Sequence, residues 1–195
     1  MKKLLLILIL ILSFQTLVKA DNIRDFEIEG MSIGNSALDF FSKNEIIKNK
    51  YYAYSSKKYY QTYFTLPSSS IYSSIQISIK EGDKDYIITS VEGGIHPISY
   101  NKCKQEKIKI ENELKLIFND FQIDYDDEVK MSFDTTGESV GISTDILFGK
   151  TFTEGPAIRI ICVNYSKYVE DKYGWVDNLR VVINSKEFNN FIQNN

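Results

Sequence analysis

Residues 71–79 constrain this chain more than any other stretch. Ile71, Ser73, Ile75, Ile77 and Ile79 alternate with Tyr72, Ser74, Gln76 and Ser78, a period of two that an extended strand converts into two distinct faces. Glu81-Gly82-Asp83-Lys84 then reads as a turn and residues 85–91 as a returning strand, which predicts a β-hairpin ended by Gly93-Gly94 and Pro97. Over residues 101–121 the period changes. Cys103, Ile110, Leu114, Ile117 and Phe121 recur with Lys and Glu between them, the pattern of an amphipathic helix of about five turns, with Asn101 or Ser99 as its cap.

The rest of the chain is read against these two elements. Residues 51–64 are strand-forming, and three β-like segments follow the long helix at 129–133, 140–148 and 157–165, with a last strand at 179–183. Near the start, Ser32 is placed as a helix N-cap and Ile33, Ala37, Phe40 and Phe41 then share one face. A short closing helix is expected around residues 186–192. The sum is an α+β fold: an antiparallel sheet with one long amphipathic helix packed on one face, plus short N-terminal and C-terminal helices. No composition shift, linker or repeat divides residues 21–195, so a single domain is expected.

Residues 1–20 read as a secretory signal peptide. Lys2 and Lys3 precede an unbroken apolar run at 4–12, polar residues follow, and Val18-Lys19-Ala20 offers a cleavage site. The run is about half the roughly 20 residues of a spanning helix, and Asp21 rather than a lipid-bearing Cys follows it. Cleavage after Ala20 predicts a periplasmic or secreted protein with no stable membrane anchor. Losing Lys2, Lys3 and Lys19 takes the formal net charge from −3 to −6, a balance that disfavours nucleic acid. Two cysteines in an exported chain suggest a disulfide. Cys103 lies on the apolar helix face, and Cys162 shares a strand face with Ile158 and Ile160, so one bond would pin helix to sheet; two unpaired core thiols are the other reading.

Catalytic and metal motifs fail one by one. Gly149-Lys150-Thr151 lacks the earlier Gly of a phosphate-binding loop, where Thr144 stands. Asp134-Thr135-Thr136-Gly137 reads as a polar hairpin turn. The acidic cluster Asp124, Asp126, Asp127 and Glu128 has Val129 where a calcium loop needs Gly. His96 is the lone histidine, too few for a His-rich zinc site, and reads as an ordinary loop residue. A nucleophilic Cys103 with His96 as base would need a reduced thiol in an oxidising compartment. No catalytic residue, metal site or cofactor is therefore assigned. What remains is a Tyr-rich segment, Tyr51, Tyr52, Tyr54, Tyr59, Tyr60 and Tyr63, which with Trp175 offers flat amphipathic side chains for a sugar or a protein partner. Codon bias and ordinary strand propensity account for the same residues without any ligand.

The segment Phe26-Glu27-Ile28-Glu29-Gly30-Met31-Ser32-Ile33-Gly34-Asn35-Ser36-Ala37-Leu38-Asp39-Phe40-Phe41-Ser42 resembles the opening of a family of uncharacterised exported proteins from AT-rich marine bacteria. Asn35, Ala37 and Phe40 replace the Asp, Leu and Tyr usual there, and the likeness extends through Cys103 to Leu179-Arg180-Val181. The resemblance implies an exported α+β domain and supplies no activity, substrate or catalytic residue. The Gly-Met-Ser turn also resembles that of small outer-membrane-assembly lipoproteins, whose lipid-bearing Cys is missing here. The functional expectation is a soluble periplasmic or secreted binding or interaction module for a protein or glycan ligand. The alternative is a hydrolase of envelope or extracellular polymers working through a carboxylate pair.

Overall fold

Nine strands form one antiparallel sheet in a computed structural model that describes residues 23–118 and 121–195. The signal peptide expected at 1–20 lies outside the described residues. In chain order the elements are α1 (Lys43–Lys48), β1 (Lys50–Tyr51), β2 (Tyr59–Thr65), β3 (Ser74–Lys80), β4 (Ile88–Ile95), α2 (Tyr100–Ile117), β5 (Gln122–Tyr125), β6 (Val129–Lys130), β7 (Val140–Leu147), β8 (Ala157–Asn164), α3 (Lys167–Tyr173), β9 (Asn178–Asn184) and α4 (Lys186–Gln193). Strand order is β1-β2-β3-β4-β9-β8-β7-β5, with β6 beside β7. The fold is α+β, with the long helix on one face. No helix among the described residues is long and apolar enough to cross a membrane.

The predicted hairpin is β3–β4, paired from Ser74↔Gly94 to Ile79↔Ile88 with a bulge near Ser78. Its alternation holds from Ser74 onward, putting Ile75, Ile77 and Ile79 in the core. Two details differ from the sequence reading. Ile71 is exposed, outside the strand. Gly93-Gly94 does not end β4 but continues it, because Tyr72 lies over Gly93: a Cβ there would come within 2.5 Å of the ring. The ring fills the space a side chain would need.

The helix α2 buries Cys103, Lys107, Glu111 and Leu114 toward the sheet, and the Cys103–Cys162 disulfide ties it to β8. Closing a loop of this separation, 59 residues, corresponds to about 4 kcal/mol of lost unfolded-chain entropy at most. The apolar stripe expected on this helix is interrupted. Lys107 and Glu111 sit on the buried seam, joined at 2.6 Å, with the Thr144 hydroxyl donating to Glu111 at 2.8 Å and accepting from Lys107. Ile117, expected inside, is 38% exposed.

The N-terminal helix begins later than its pattern suggests. Gly34 has φ of 93°, a left-handed value that ends any helix started at Ser32, and the Ser32 N–H instead donates to the Asn35 side chain at 2.7 Å. Ser36 caps a single 3-10 turn, and Ser42 with Glu45 forms a capping box on α1. Ile28, Met31, Ile33, Ala37 and Ile46 pack into the core below the sheet. The long Tyr-rich strand is likewise two pieces, β1 and β2, which pair with each other across the loop between them. The helix α3 was not anticipated. Ser166 caps its start, and Gly174, left-handed at φ 68°, closes it immediately before Trp175. Asp134 ends up as a turn-builder: its carboxylate accepts from Thr136 N, Thr136 Oγ1 and Ser139 N at 2.8–2.9 Å. Burial pushes its pKa up, but these hydrogen bonds outweigh that and hold it well below the usual carboxylate range.

Candidate functional site

The alternation that buries isoleucine under α2 turns every second residue to the opposite face, and register aligns those residues into rows. One row crosses six strands: Tyr63, Gln76, Glu92, Val182, Arg159 and Asp145. A second runs through Ser74, Gly94, Arg180, Ile161 and Ser143, and a third through Gln61, Ser78, Ser90 and Asn184. Two of the chain's three arginines therefore stand on this face.

The polar face is walled at both ends. At one end α4 folds back, and Phe188 and Phe191 pack on Tyr59 and Tyr54. At the other, the turn after α3 presents Trp175, whose ring meets Tyr173, Phe133 and Tyr165 at centroid distances of 5.0–5.5 Å. Between the walls lies a cavity of about 490 Å³, whose lining includes Tyr51, Tyr63, His96, Trp175, Asn178 and Arg180. It adjoins a smaller one of about 200 Å³, bounded by Tyr54, Arg159, Asn184 and Phe188. Gln76, Glu92 and Arg180 line both, so the two form one groove.

Hydrogen bonds hold much of the lining in place. Tyr51 donates to the Gln76 side chain at 2.5 Å, and the His96 Nε2 lies 3.2 Å from Ser74 Oγ and 3.3 Å from the Tyr63 hydroxyl. Arg159 grips Asp145 through two nitrogens, a planar fork that fixes both side chains. Arg180 stands 3.8 Å from Glu92. Burial, then the nearby Glu92 carboxylate, pushes the Tyr51 hydroxyl up to about 12, so it stays a neutral donor at ordinary pH. Three polar atoms on β9 are buried without a hydrogen-bond partner among the described residues: Asn178 Oδ1, Arg180 Nε and Asn184 Oδ1.

The sequence-derived surface divides accordingly. Tyr51, Tyr63 and Trp175, remote in sequence, line the larger cavity, and Tyr54 lines the smaller. Tyr59 and Tyr60 are buried and so lie off the surface: Tyr59 belongs to the small core under α4 and Tyr60 to the main core. Tyr52 is exposed elsewhere, donating to Glu81 at 2.8 Å. His96 is part of the lining rather than an unattached loop residue. Cys103 Sγ is engaged in the disulfide and is no free nucleophile. Sequence reasoning missed Gln76, Glu92, Asn178, Arg180 and Asn184. Their signal was present, since Arg180 stands alone between Leu179 and Val181 as Arg159 does between Ile158 and Ile160, but alternation marks a polar face without saying what covers it.

A second cavity of about 500 Å³ opens on the other side, between α2 and Phe26, Tyr72 and Ile98, with an apolar floor and charged residues such as Glu29, Lys102 and Glu106 among its walls. It continues the packing seam of the core, whereas the groove gathers hydrogen-bonding groups from six strands. No family model, curated protein or solved structure matches the chain.

Proposed function

We propose that this protein is an exported, soluble binding module that holds its ligand in the groove on the polar face of the sheet. The observation that carries the reading is the convergence of Tyr51 and Tyr63, from the Tyr-rich segment, with the distant Trp175 around a polar floor in one concavity. Concave sites with a few placed polar groups and aromatic walls are the usual form of ligand pockets. Binding is favoured over hydrolysis because Glu92 is the one carboxylate among the described residues lining either part of the groove, whereas glycoside hydrolysis uses two. Export into the periplasm or the medium is supported by the leader pattern at 1–20 and by the disulfide, which suits an oxidising compartment. The same leader and the 26–42 segment support membership of the exported family described above.

Trp175 is the lone tryptophan, so its fluorescence reports on the groove directly. The protein, expressed with its leader and recovered from the periplasm or medium, is screened against saccharides, peptides and small metabolites. A ligand that shifts Trp175 emission and raises Tm by mass action, with both effects lost in Tyr51→Ala, is the expected result. A Trp175 signal unmoved by every class would overturn the reading, as would full-length protein retained in the cytosol.

A further inference from the structure

We infer that the groove binds a linear, uncharged oligosaccharide lying along β9. This rests on the binding reading above and names the chemistry of its ligand. The first argument is hydrogen-bond complementarity. Asn178 Oδ1 and Asn184 Oδ1 are acceptors seeking donors, and Arg180 Nε is a donor seeking an acceptor. Asn184 is only 3% exposed, and a buried carbonyl without a partner is costly. These groups share one face of β9 at positions 178, 180 and 184, acceptor, donor, acceptor, with Val182 between the last two. A sugar hydroxyl both donates and accepts, so a string of hydroxyls offers partners of either polarity to the polar side chains of this floor.

Shape and charge narrow the ligand further. From Asn178 to Asn184 the strand runs about 20 Å at roughly 3.3 Å per residue, long enough for several sugar rings, and the two cavities adjoin along it at Gln76, Glu92 and Arg180. Tyr51 and Trp175 toward one end and Tyr54 toward the other provide flat faces for the apolar side of a ring, with hydroxyls at their edges. Each of these two arginines has an acidic neighbour, Glu92 for Arg180 and Asp145 for Arg159, which offsets much of the positive charge a charged ligand would meet. The floor is made of interior strands whose backbone groups are spent on their neighbours, which denies an extended peptide the sheet edge it adds to.

The test uses the full protein and Trp175 fluorescence with defined probes: neutral tetrasaccharides (cellotetraose, maltotetraose, laminaritetraose and chitotetraose), their monosaccharides, tetragalacturonate and tetra-alanine. At least one neutral tetrasaccharide is expected to bind tenfold or more tightly than its monosaccharide. Asn178→Ala and Arg180→Met should each weaken that binding about tenfold while Tm stays within a few degrees. Asn184→Ala should do the same, and if it unfolds the protein the Asn178 variant still decides. Preferential binding of tetragalacturonate or tetra-alanine at the groove would overturn the oligosaccharide assignment and leave the binding reading standing. Silence toward all of these sugars, or affinity indifferent to chain length and to Asn178→Ala, would also overturn it.

Discussion

The two faces of the sheet are built from the same strands, often from adjacent residues, and they are put to opposite uses. On the helix side, Ile77, Val91, Ile183, Ile158, Ile146 and Ile123 line up across six strands, packed under α2 and the N-terminal segment. One residue along each of four of these strands, Gln76, Glu92, Val182 and Arg159 form the floor of the groove. The first row removes apolar area from water, at about 25 cal/mol per Å², and supplies stability. The second keeps polar atoms near the surface and, on the function proposed above, serves recognition. An antiparallel sheet separates the two tasks because its side-chain period is two.

The sharpest exception to the division is the Lys107–Glu111–Thr144 group, a polar cluster on the apolar side. Lys107→Met leaves the Glu111 carboxylate buried without its counter-charge, and should lower stability by about 3–5 kcal/mol in urea denaturation. Lys107→Met combined with Glu111→Leu should recover most of that loss, because two matched apolar side chains replace the pair. A single variant as stable as wild type would show that the helix side tolerates an unpaired charge, and the contrast between the faces would fail.

The next measurement takes neighbours on one strand. Ile160 is fully buried under α2, whereas Ile161 is half-buried beside the groove. Ile160→Ala should cost about 2–5 kcal/mol, as large-to-small core changes do, and Ile161→Ala about 1 kcal/mol or less. In the Trp175 assay the order should reverse, with Ile161→Ala altering binding and the folded fraction of Ile160→Ala binding normally.

The last effect is alkaline. Burial, the leading cause in each case, pushes the hydroxyls of Tyr51, Tyr60 and Tyr72 up to about 12 from an ordinary value of 10. The native state favours the neutral phenol, so this contribution is fully present below pH 10 and lost as pH rises from 10 to 12. Tm should be flat on the acid side of that window and fall across it. Tyr60→Phe should soften the fall from the helix side, and Tyr51→Phe from the groove side, as followed by thermal melts with ultraviolet phenolate titration.

Much of the fold was legible because it is written in short-range periods. The alternation around Ile75, Ile77 and Ile79 and the helical recurrence of Cys103 and Leu114 located the central hairpin, the long helix and the disulfide's two anchors. Boundaries were less legible where backbone conformation overrode pattern. Gly34 in the left-handed region postponed the first helix, and a Tyr72 ring over Gly93 kept a strand going through a Gly-Gly pair that resembles a stop. Lys107 and Glu111 read as solvent residues because each alone belongs in water; only as a pair with Thr144 do they suit the interior.

The site was legible in pieces. Tyr51, Tyr63 and Trp175 were singled out for their chemistry, but their assembly depends on the loop between β1 and β2 folding Tyr51 back beside Tyr63 and on Gly174 turning the chain before Trp175. The sequence by itself determined the class of fold, the faces of the strands and the residues with binding chemistry, since these follow from local spacing and side-chain type. The tertiary structure alone decided which tyrosines are core and which line the groove, and that Asn178, Arg180 and Asn184 share a floor with Glu92. Those outcomes depend on strand order and register, which pair residues tens of positions apart and leave no trace in the local period.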